Sequence, residues 1–280
     1  MRLLVTGGAG MLGQAVATAA TRLGHDVIAL SRAELDVTDV DRVRRVIAAA
    51  EPRAVVNCAA WTDVDGAETA EAAATAVNGA GAGNVARAAG ETGARVVHVS
   101  TDYVFDGTKT TPWVESDPVA PIGAYGRSKL VGEREVAAAG GEHAIVRSAW
   151  LFGVGGRNFV ATMLRLGAER DEVRVVTDQV GCPTFTGHLA RGLIELSQRQ
   201  APGVLHVAGA GWCSWHDFAI EIFREAGIDC RVEAATTGEL DRPAPRPAYS
   251  VLVSERPDAP RLPSWRDGLA EYLAAREVAA

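Results

Sequence analysis

Tyr125-Gly-Arg-Ser-Lys129 sets a phenol and an ammonium four residues apart. On a helix that spacing puts both side chains on one face, where they can address the same bound molecule. The chain has 4 Tyr, and Lys109 and Lys129 are its two lysines, so chance supplies only about 0.03 such pairs. A phenol titrating near pH 10 is a poor acid or base at neutral pH. An ammonium about 4.5 Å away, at an effective dielectric of about 20, favours the phenolate by roughly 3 to 4 kcal/mol, or about two to three pKa units. Tyr125 is therefore expected to serve as the acid-base group and Lys129 to tune it. Upstream, Ser100-Thr101-Asp102 follows an apolar run, and a hydroxyl just beyond a strand end is placed to donate to a substrate carbonyl. Thr101, Tyr125 and Lys129 form the expected catalytic triad.

A second chemical signature opens the chain. The run Met1 to Thr6 leads into Gly7-Gly-Ala-Gly10-Met11-Leu12-Gly13. Glycines at 7, 10 and 13 permit a tight turn, close approach of a pyrophosphate and packing of the next helix, whose N-terminus offers N-H groups and positive potential. This predicts a dinucleotide site. The next strand ends Ala29-Leu30-Ser31-Arg32, with no carboxylate for a ribose 2′-hydroxyl, so Ser31 and Arg32 suit a 2′-phosphate. NADPH is the expected cofactor, and NADH the alternative if Glu34 or Asp36 serves the ribose.

The elements that must position these groups alternate along the chain. Strand-length apolar runs at Leu3–Thr6, Asp26–Leu30, Ala54–Cys58, Arg95–Ser100 and Ala144–Ala149 are separated by Ala-rich helical stretches, which reads as βαβ units and an α/β doubly wound parallel sheet of Rossmann type. Thr38 is expected to cap the second helix, Gly24 to end the first, and Gly90 or Gly93 to end the fourth. Beyond Trp150 the rhythm loosens into helices at Asn158–Glu169 and near Gly187–Ser197, a strand Val204–Val207, a proline-rich connector Asp241–Pro247 and a last helix from Ser264. The expected domains are residues 1–150 with about 186–207 for the cofactor, and a smaller C-terminal lobe of about 151–185 and 208–280 for the substrate.

Composition narrows the partners. The chain has 280 residues, 48% hydrophobic and 22% charged, and a net charge of -7, so it can bury a large core and lacks the basic stripe of a nucleic-acid binder. Cys58, Cys182, Cys213 and Cys230 form no CxxC pair, so neither zinc nor a disulfide framework is signalled, and a cytoplasmic setting is expected. The six histidines have no ligand-like spacing. No apolar run spans a bilayer, and the N-terminus reads as a strand rather than a leader. Arginine outnumbers lysine 26 to 2. A drift toward Arg that spared Lys129 suggests a site where a planar guanidinium would replace a compact ammonium badly. Lys109 reads as an exposed remnant.

The GxxGxxG turn with YxxxK resembles the extended short-chain dehydrogenase/reductase superfamily. Within it, Ser100-Thr-Asp-Tyr-Val-Phe-Asp-Gly107, Tyr125 to Glu133, Arg147-Ser-Ala-Trp-Leu-Phe-Gly153, Asn158-Phe159, Val176 to Thr184, Cys213 to Phe218 and Arg246 to Leu252 are similar to the dTDP-4-dehydrorhamnose reductases, over nearly the whole chain. The resemblance implies that Gly10, Met11 and Leu12 touch the cofactor phosphates, that Asp36 and Val37 meet the adenine, and that Ala60, Trp61 and Thr62 lie along the cofactor. It also implies that Thr101, Asp102 and Trp150 contact a dTDP-sugar, in a monomer or homodimer. Trp61 replaces a commoner Tyr or His, Asp63-Val-Asp-Gly66 a commoner Ala-Val-Asp-Lys, and Ala15 a Glu that in some members belongs to a metal-linked dimer, so no metal is expected.

The activity implied is NAD(P)H-dependent reduction of the C4 ketone of dTDP-4-dehydro-6-deoxy-L-hexose to dTDP-L-rhamnose. A related 4-ketoreductase of natural-product deoxysugar synthesis would carry the same motifs. Dehydratases of the group follow the triad Thr with Asp-Glu, whereas Tyr103 follows Asp102 here. Epimerases share the triad and are a minor alternative. A non-catalytic regulatory NADP-binding subunit is the alternative from another class, opposed by the intact triad. Trp215 and Phe218 are expected to pack the second lobe, and Arg246 is a candidate for the substrate pyrophosphate.

Overall fold

The computed structural model describes residues 1–240 and 242–277; Asp241, which opens the proline-rich connector, lies outside the described residues. In chain order the elements are β1 (Arg2–Thr6), α1 (Met11–Arg22), β2 (Asp26–Leu30), α2 (Val40–Ala50), β3 (Ala54–Asn57), α3 (Val64–Thr69), α4 (Glu71–Thr75), a π-helical stretch (Ala76–Gly81), α5 (Ala82–Glu91), β4 (Arg95–Thr101), a short turn of 3-10 helix (Asp102–Val104), α6 (Ala124–Ala138) and β5 (His143–Ser148). Then follow β6 (Leu151–Phe152), α7 (Phe159–Glu169), β7 (Glu172–Val176), β8 (Val180–Gly181), β9 (Thr184–Phe185), α8 (Thr186–Gln198), β10 (Gly203–His206), β11 (Cys213–Ser214), α9 (Trp215–Ala226), β12 (Arg231–Ala235) and α10 (Trp265–Glu277).

The central sheet is wholly parallel, in the order β2-β1-β3-β4-β5-β10. Its strands are continuous apolar runs because both faces are covered. Successive side chains point to opposite faces. Leu3, Val5 and Val56 pack with Leu12 and Val16 of α1 and with Leu189 and Leu193 of α8. Leu4 and Val55 pack on the other face with Val43 and Ile47 of α2 and Val85 and Ala89 of α5. The expected doubly wound sheet is therefore present. Strand order reverses between β1 and β3, and in open α/β sheets the carboxyl ends at that reversal form the ligand crevice.

A row of polar side chains crosses the sheet beside that crevice. Thr6 pairs in register with Asn57, and Asn57 with His98. The Thr6 hydroxyl donates to Asn57 Oδ1 at 2.6 Å, and Asn57 Nδ2 lies 3.0 Å from His98 Nδ1. Burial holds His98 well below its ordinary pKa, so the ring is neutral and Nδ1 accepts.

The later elements build a separate apolar cluster. Phe152, Val160, Val175, Phe218, Ile222 and Trp265 are buried together, with β7 and β12 paired in parallel beside them. The α9 helix is closed by a reciprocal cap in which the Ser214 hydroxyl accepts from Asp217 N at 3.0 Å and donates to the Asp217 carboxylate at 2.7 Å. Among the described residues no helix is long and apolar enough to cross a membrane.

One local expectation needs correction, and another is narrowed to one of its two candidates. Asp39 rather than Thr38 caps α2: its carboxylate accepts from Arg42 N at 2.9 Å, while the Thr38 hydroxyl is turned back to Asp36 Oδ1 at 2.7 Å. The helix ending in Glu91 is followed by Gly93 in the left-handed region (φ +72), with Gly90 still inside the helix.

Candidate active site

At the strand-order reversal lies a cavity of about 930 Å³. Gly7, Gly10, Met11, Leu12, Gly13, Arg32, Asp36, Val37, Ala60, Trp61, Thr62, Thr101, Asp102, Tyr125, Lys129 and Trp150 all line it. Ser31 does not. Its hydroxyl and backbone N-H are both turned to Glu34, at 2.6 and 2.8 Å, which closes the turn after β2 and removes Ser31 from the wall. Arg32 is free to move, with 79% of its side chain exposed and only a 3.6 Å ion pair to Asp36.

The glycine turn is shaped as a cradle. Gly7 has φ +66, and a Cβ there would come within 2.8 Å of Ala59 N; a Cβ on Gly13 would collide with the Gly7 carbonyl oxygen. Only bare backbone fits at either place. The α1 N-terminus lacks a side-chain cap, and its first residues, Met11, Leu12 and Gly13, line the cavity with their N-H groups unclaimed by a side chain. These features fit the phosphates of a dinucleotide.

The wall opposite is held by an irregularity that the sequence reading did not anticipate. The π-helical stretch Ala76–Gly81 carries Asn78, whose amide accepts from Trp61 N at 2.8 Å, donates to Trp61 O at 3.1 Å and donates to Ser128 Oγ at 2.9 Å. A π-bulge re-aims one side chain. Here it pins Trp61 to the helix that carries the catalytic candidates.

Thr101 ends β4, and Tyr125 and Lys129 lie in the first turns of α6. The Thr101 hydroxyl donates to Asp102 Oδ1 at 3.0 Å and lines the cavity with the Tyr125 phenol. Asp102 is 2% exposed, and no described residue partners its Oδ2. Burial raises its carboxyl to about 6, against the hydroxyls of Ser250 and Thr101, which pull the other way. Lys129 donates to the Val99 carbonyl at 2.7 Å, and burial lowers its ammonium to about 8 despite the nearby Glu133. Glu133 is itself clamped by Arg147 through bonds of 2.9 and 2.7 Å, and accepts from Ser100 at 2.5 Å.

The expected tuning of the phenol differs in this state. Tyr125 is pushed up to about 12, chiefly by burial, with the Thr101 bond lowering it and the Asp102 carboxylate raising it. The Lys129 ammonium, bonded to the Val99 carbonyl, does not offset this rise. A phenol so raised stays protonated, the form that a proton donor requires.

Three other expectations change. Lys109 is no exposed remnant: its ammonium pairs with Asp117 at 2.5 Å, donates to Pro112 O at 3.1 Å and sits 5.0 Å over the Trp113 ring. Arg246 is already committed, with bonds of 3.0 and 2.9 Å to the Asp65 carboxylate, so its charge is spent before any pyrophosphate arrives. Phe218 is buried and Trp215 packs against the same cluster, as expected, but Trp215 also lines the cavity, its ring stacked on Trp150 at 3.5 Å and 3°. Trp150 itself has φ +48, a strained backbone for a bulky residue. Arg157 and Phe159 also line the cavity and were missed. The Gly153 to Asn158 run was the signal that could have found them.

Comparison with known proteins bears on what this cavity is for. The family described as RmlD substrate binding domain matches residues 1–278. The chain belongs to that family. A dTDP-4-dehydrorhamnose reductase of Mycobacterium tuberculosis is 44% identical, with 98% of this chain and 93% of that protein covered. A dTDP-4-keto-6-deoxy-D-glucose reductase of Streptomyces niveus is also 44% identical, over 90% and 88%. The solved structure of a dTDP-4-dehydrorhamnose reductase from Bacillus anthracis in complex with NADP is 37% identical and covers 98% of this chain and 99% of its own, with a TM-score of 0.95. Family membership thus agrees with the resemblance carried by the motifs.

Proposed function

We propose that this protein is an NADPH-dependent reductase of the C4 ketone of a dTDP-4-dehydro-6-deoxy-hexose, giving dTDP-L-rhamnose. The observation that carries the reading is the convergence of Thr101, Tyr125 and Lys129 on one cavity whose other end is a glycine cradle. Residues 1–150 with about 186–207 would bind the cofactor, and residues 151–185 and 208–280 the sugar nucleotide.

The residues present fit the cofactor. The backbone at Gly10, Met11 and Leu12 would hold its diphosphate, Arg32 a 2′-phosphate, and Asp36 and Val37 would face the adenine. Ala60, Trp61 and Thr62 would run along its length, and Lys129 would meet the nicotinamide ribose. When bound, NADPH supplies the hydride for the carbonyl carbon. Tyr125, and Thr101 once its hydroxyl turns from Asp102, would hydrogen-bond the carbonyl oxygen, so the charge that develops there meets two donors. Tyr125 then gives its proton to that oxygen, which becomes the C4 hydroxyl. Asp102 and Trp150 would orient the sugar. The Lys129 ammonium, turned from the Val99 carbonyl toward the phenolate, would stabilise the charge left on Tyr125.

Tyr125→Phe should lower kcat at least about a hundredfold, the usual scale for a general acid. Reduction of the keto sugar by Tyr125→Phe at the wild-type rate would sink the assignment.

A second reading, a 4-ketoreductase of another deoxysugar, is favoured by the equal identity to the Streptomyces niveus reductase. Incubation with dTDP-4-dehydro-L-rhamnose and its C3/C5 epimers, with the C4 configuration of the product read by NMR, separates the two. Failure of the protein to oxidise NADPH with any of these keto sugars would leave the regulatory-subunit reading.

A further inference from the structure

Among the described residues three cations line the cavity, and two of them have a neighbour to lean on. Lys129 donates to Val99 O at 2.7 Å, and Arg32 leans toward Asp36 at 3.6 Å beside the end of β2. The third is Arg157, exposed, and no carboxylate among the described residues pairs with it.

Its loop is not free to wander. Gly155 and Gly156 lie directly against the first turns of α1: a Cβ on Gly156 would come within 2.9 Å of Met11 Cβ, and one on Gly155 would strike the Gln14 side-chain amide. Gln14 is in turn tied to Ala9 O at 2.7 Å within the glycine turn. Asn158 fastens the other end, with its Nδ2 donating to Gly153 O at 2.9 Å and to Gly156 O at 3.2 Å, and lying 3.7 Å from Met11 Sδ. So a loop that follows β6 is laid against the first turns of α1, where that helix leaves the glycine turn, and it carries one guanidinium.

We infer that Arg157 clasps the cofactor's diphosphate from the side opposite the glycine turn, a binding residue supplied by the loop between β6 and α7. This rests on the dinucleotide reading of the cavity. A guanidinium matches two phosphate oxygens in a fork, which a lysine at the same place would do less well. The sugar nucleotide also carries a diphosphate. The proximity of Gly155 to Gln14 and of Gly156 to Met11 favours the cofactor's, because it sets the residue before Arg157 against the first turn of α1.

Calorimetric titration with NADPH, NADH and dTDP tests this without turnover. Arg157→Ala should weaken NADPH and NADH alike, by about ten- to a hundredfold, the range of one to two charge-assisted hydrogen bonds. Binding of dTDP should stay within about twofold, and Arg157→Lys should recover part of the loss. Arg32→Ala serves as the contrast, weakening NADPH but not NADH. Unchanged NADPH binding by Arg157→Ala overturns the inference, as does a loss confined to dTDP, which would assign the residue to the substrate. A wild-type protein that binds neither NADPH nor NADH overturns the dinucleotide reading itself, an outcome visible before any variant is made.

Discussion

Lys129→Met should make the free protein more stable while abolishing its activity. Lys129 is 3% exposed, and its ammonium falls from 10.5 to about 8 when the chain folds. Between those two values the unfolded chain holds the proton and the folded one does not, so stability rises with pH across that interval. Below pH 8 both states are protonated and the folded one bears the whole penalty. The shift of about 2.5 units, at about 1.4 kcal/mol each, sets that penalty near 3.5 kcal/mol. Methionine fills the stem's volume without a charge and should gain about 1 to 3 kcal/mol at pH 7. Urea unfolding of the two proteins at pH 7, 9 and 10.5 measures this, with groups common to both cancelling in the difference. The advantage of the variant should shrink steadily above pH 8 and nearly vanish by 10.5. A Met variant less stable than wild type at pH 7, or an advantage that does not change with pH, would refute the reasoning.

Two other side chains give predictions of known sign. Asp102 is held at about 6 in the folded protein against 3.8 ordinarily, so the folded state binds more protons between those values and its cost is fully present above pH 6 and gone below about 3.8. Asp102→Asn should therefore raise the urea midpoint at pH 7.5, by up to about 3 kcal/mol in stability, and leave it unchanged near pH 3.5. Glu133→Ala strips the partner from Arg147, both side chains being 5% exposed, and should cost about 3 to 5 kcal/mol in the same assay; Glu91→Ala, which breaks the exposed pair with Arg44, should cost under about 1 kcal/mol.

What was legible in the sequence was local. Gly7, Gly10 and Gly13 announce themselves because a tight turn, a close approach and a packing contact all fall within seven residues. Tyr125 and Lys129 do so because one helical turn brings them together. The strands could be read because a parallel sheet covered on both faces demands unbroken apolar runs. What stayed hidden depends on partners far along the chain. Nothing near Arg246 reveals that Asp65 takes its charge, and nothing near Trp150 reveals that Trp215 stacks on it. Lys109 seemed idle because its acceptor, Asp117, lies across a loop of unassigned shape. The state of the phenol is hidden for a related reason: spacing fixes which residues share a helix face, but the Val99 carbonyl on β4 takes the ammonium's bond. The cap of α2 was off by one residue because Thr38 and Asp39 are both good caps, and only the competing bond to Asp36 separates them.

The polar row of Thr6, Asn57 and His98 has a consequence for how the chain reaches its fold. Three neighbouring parallel strands of interchangeable aliphatic residues have little to tell one alignment from the next. A slip of β3 by one residue would swing Asn57 to the opposite apolar face and strand its amide, and each buried polar group so orphaned costs about 1 to 3 kcal/mol. The row thus acts as an indexing mark during assembly, rejecting misaligned sheets. Because β1 runs into the glycine turn and β3 into the Ala60–Thr62 wall, an error of one step there would be an error of about 3.3 Å in the spacing of the two walls between which the cofactor must fit.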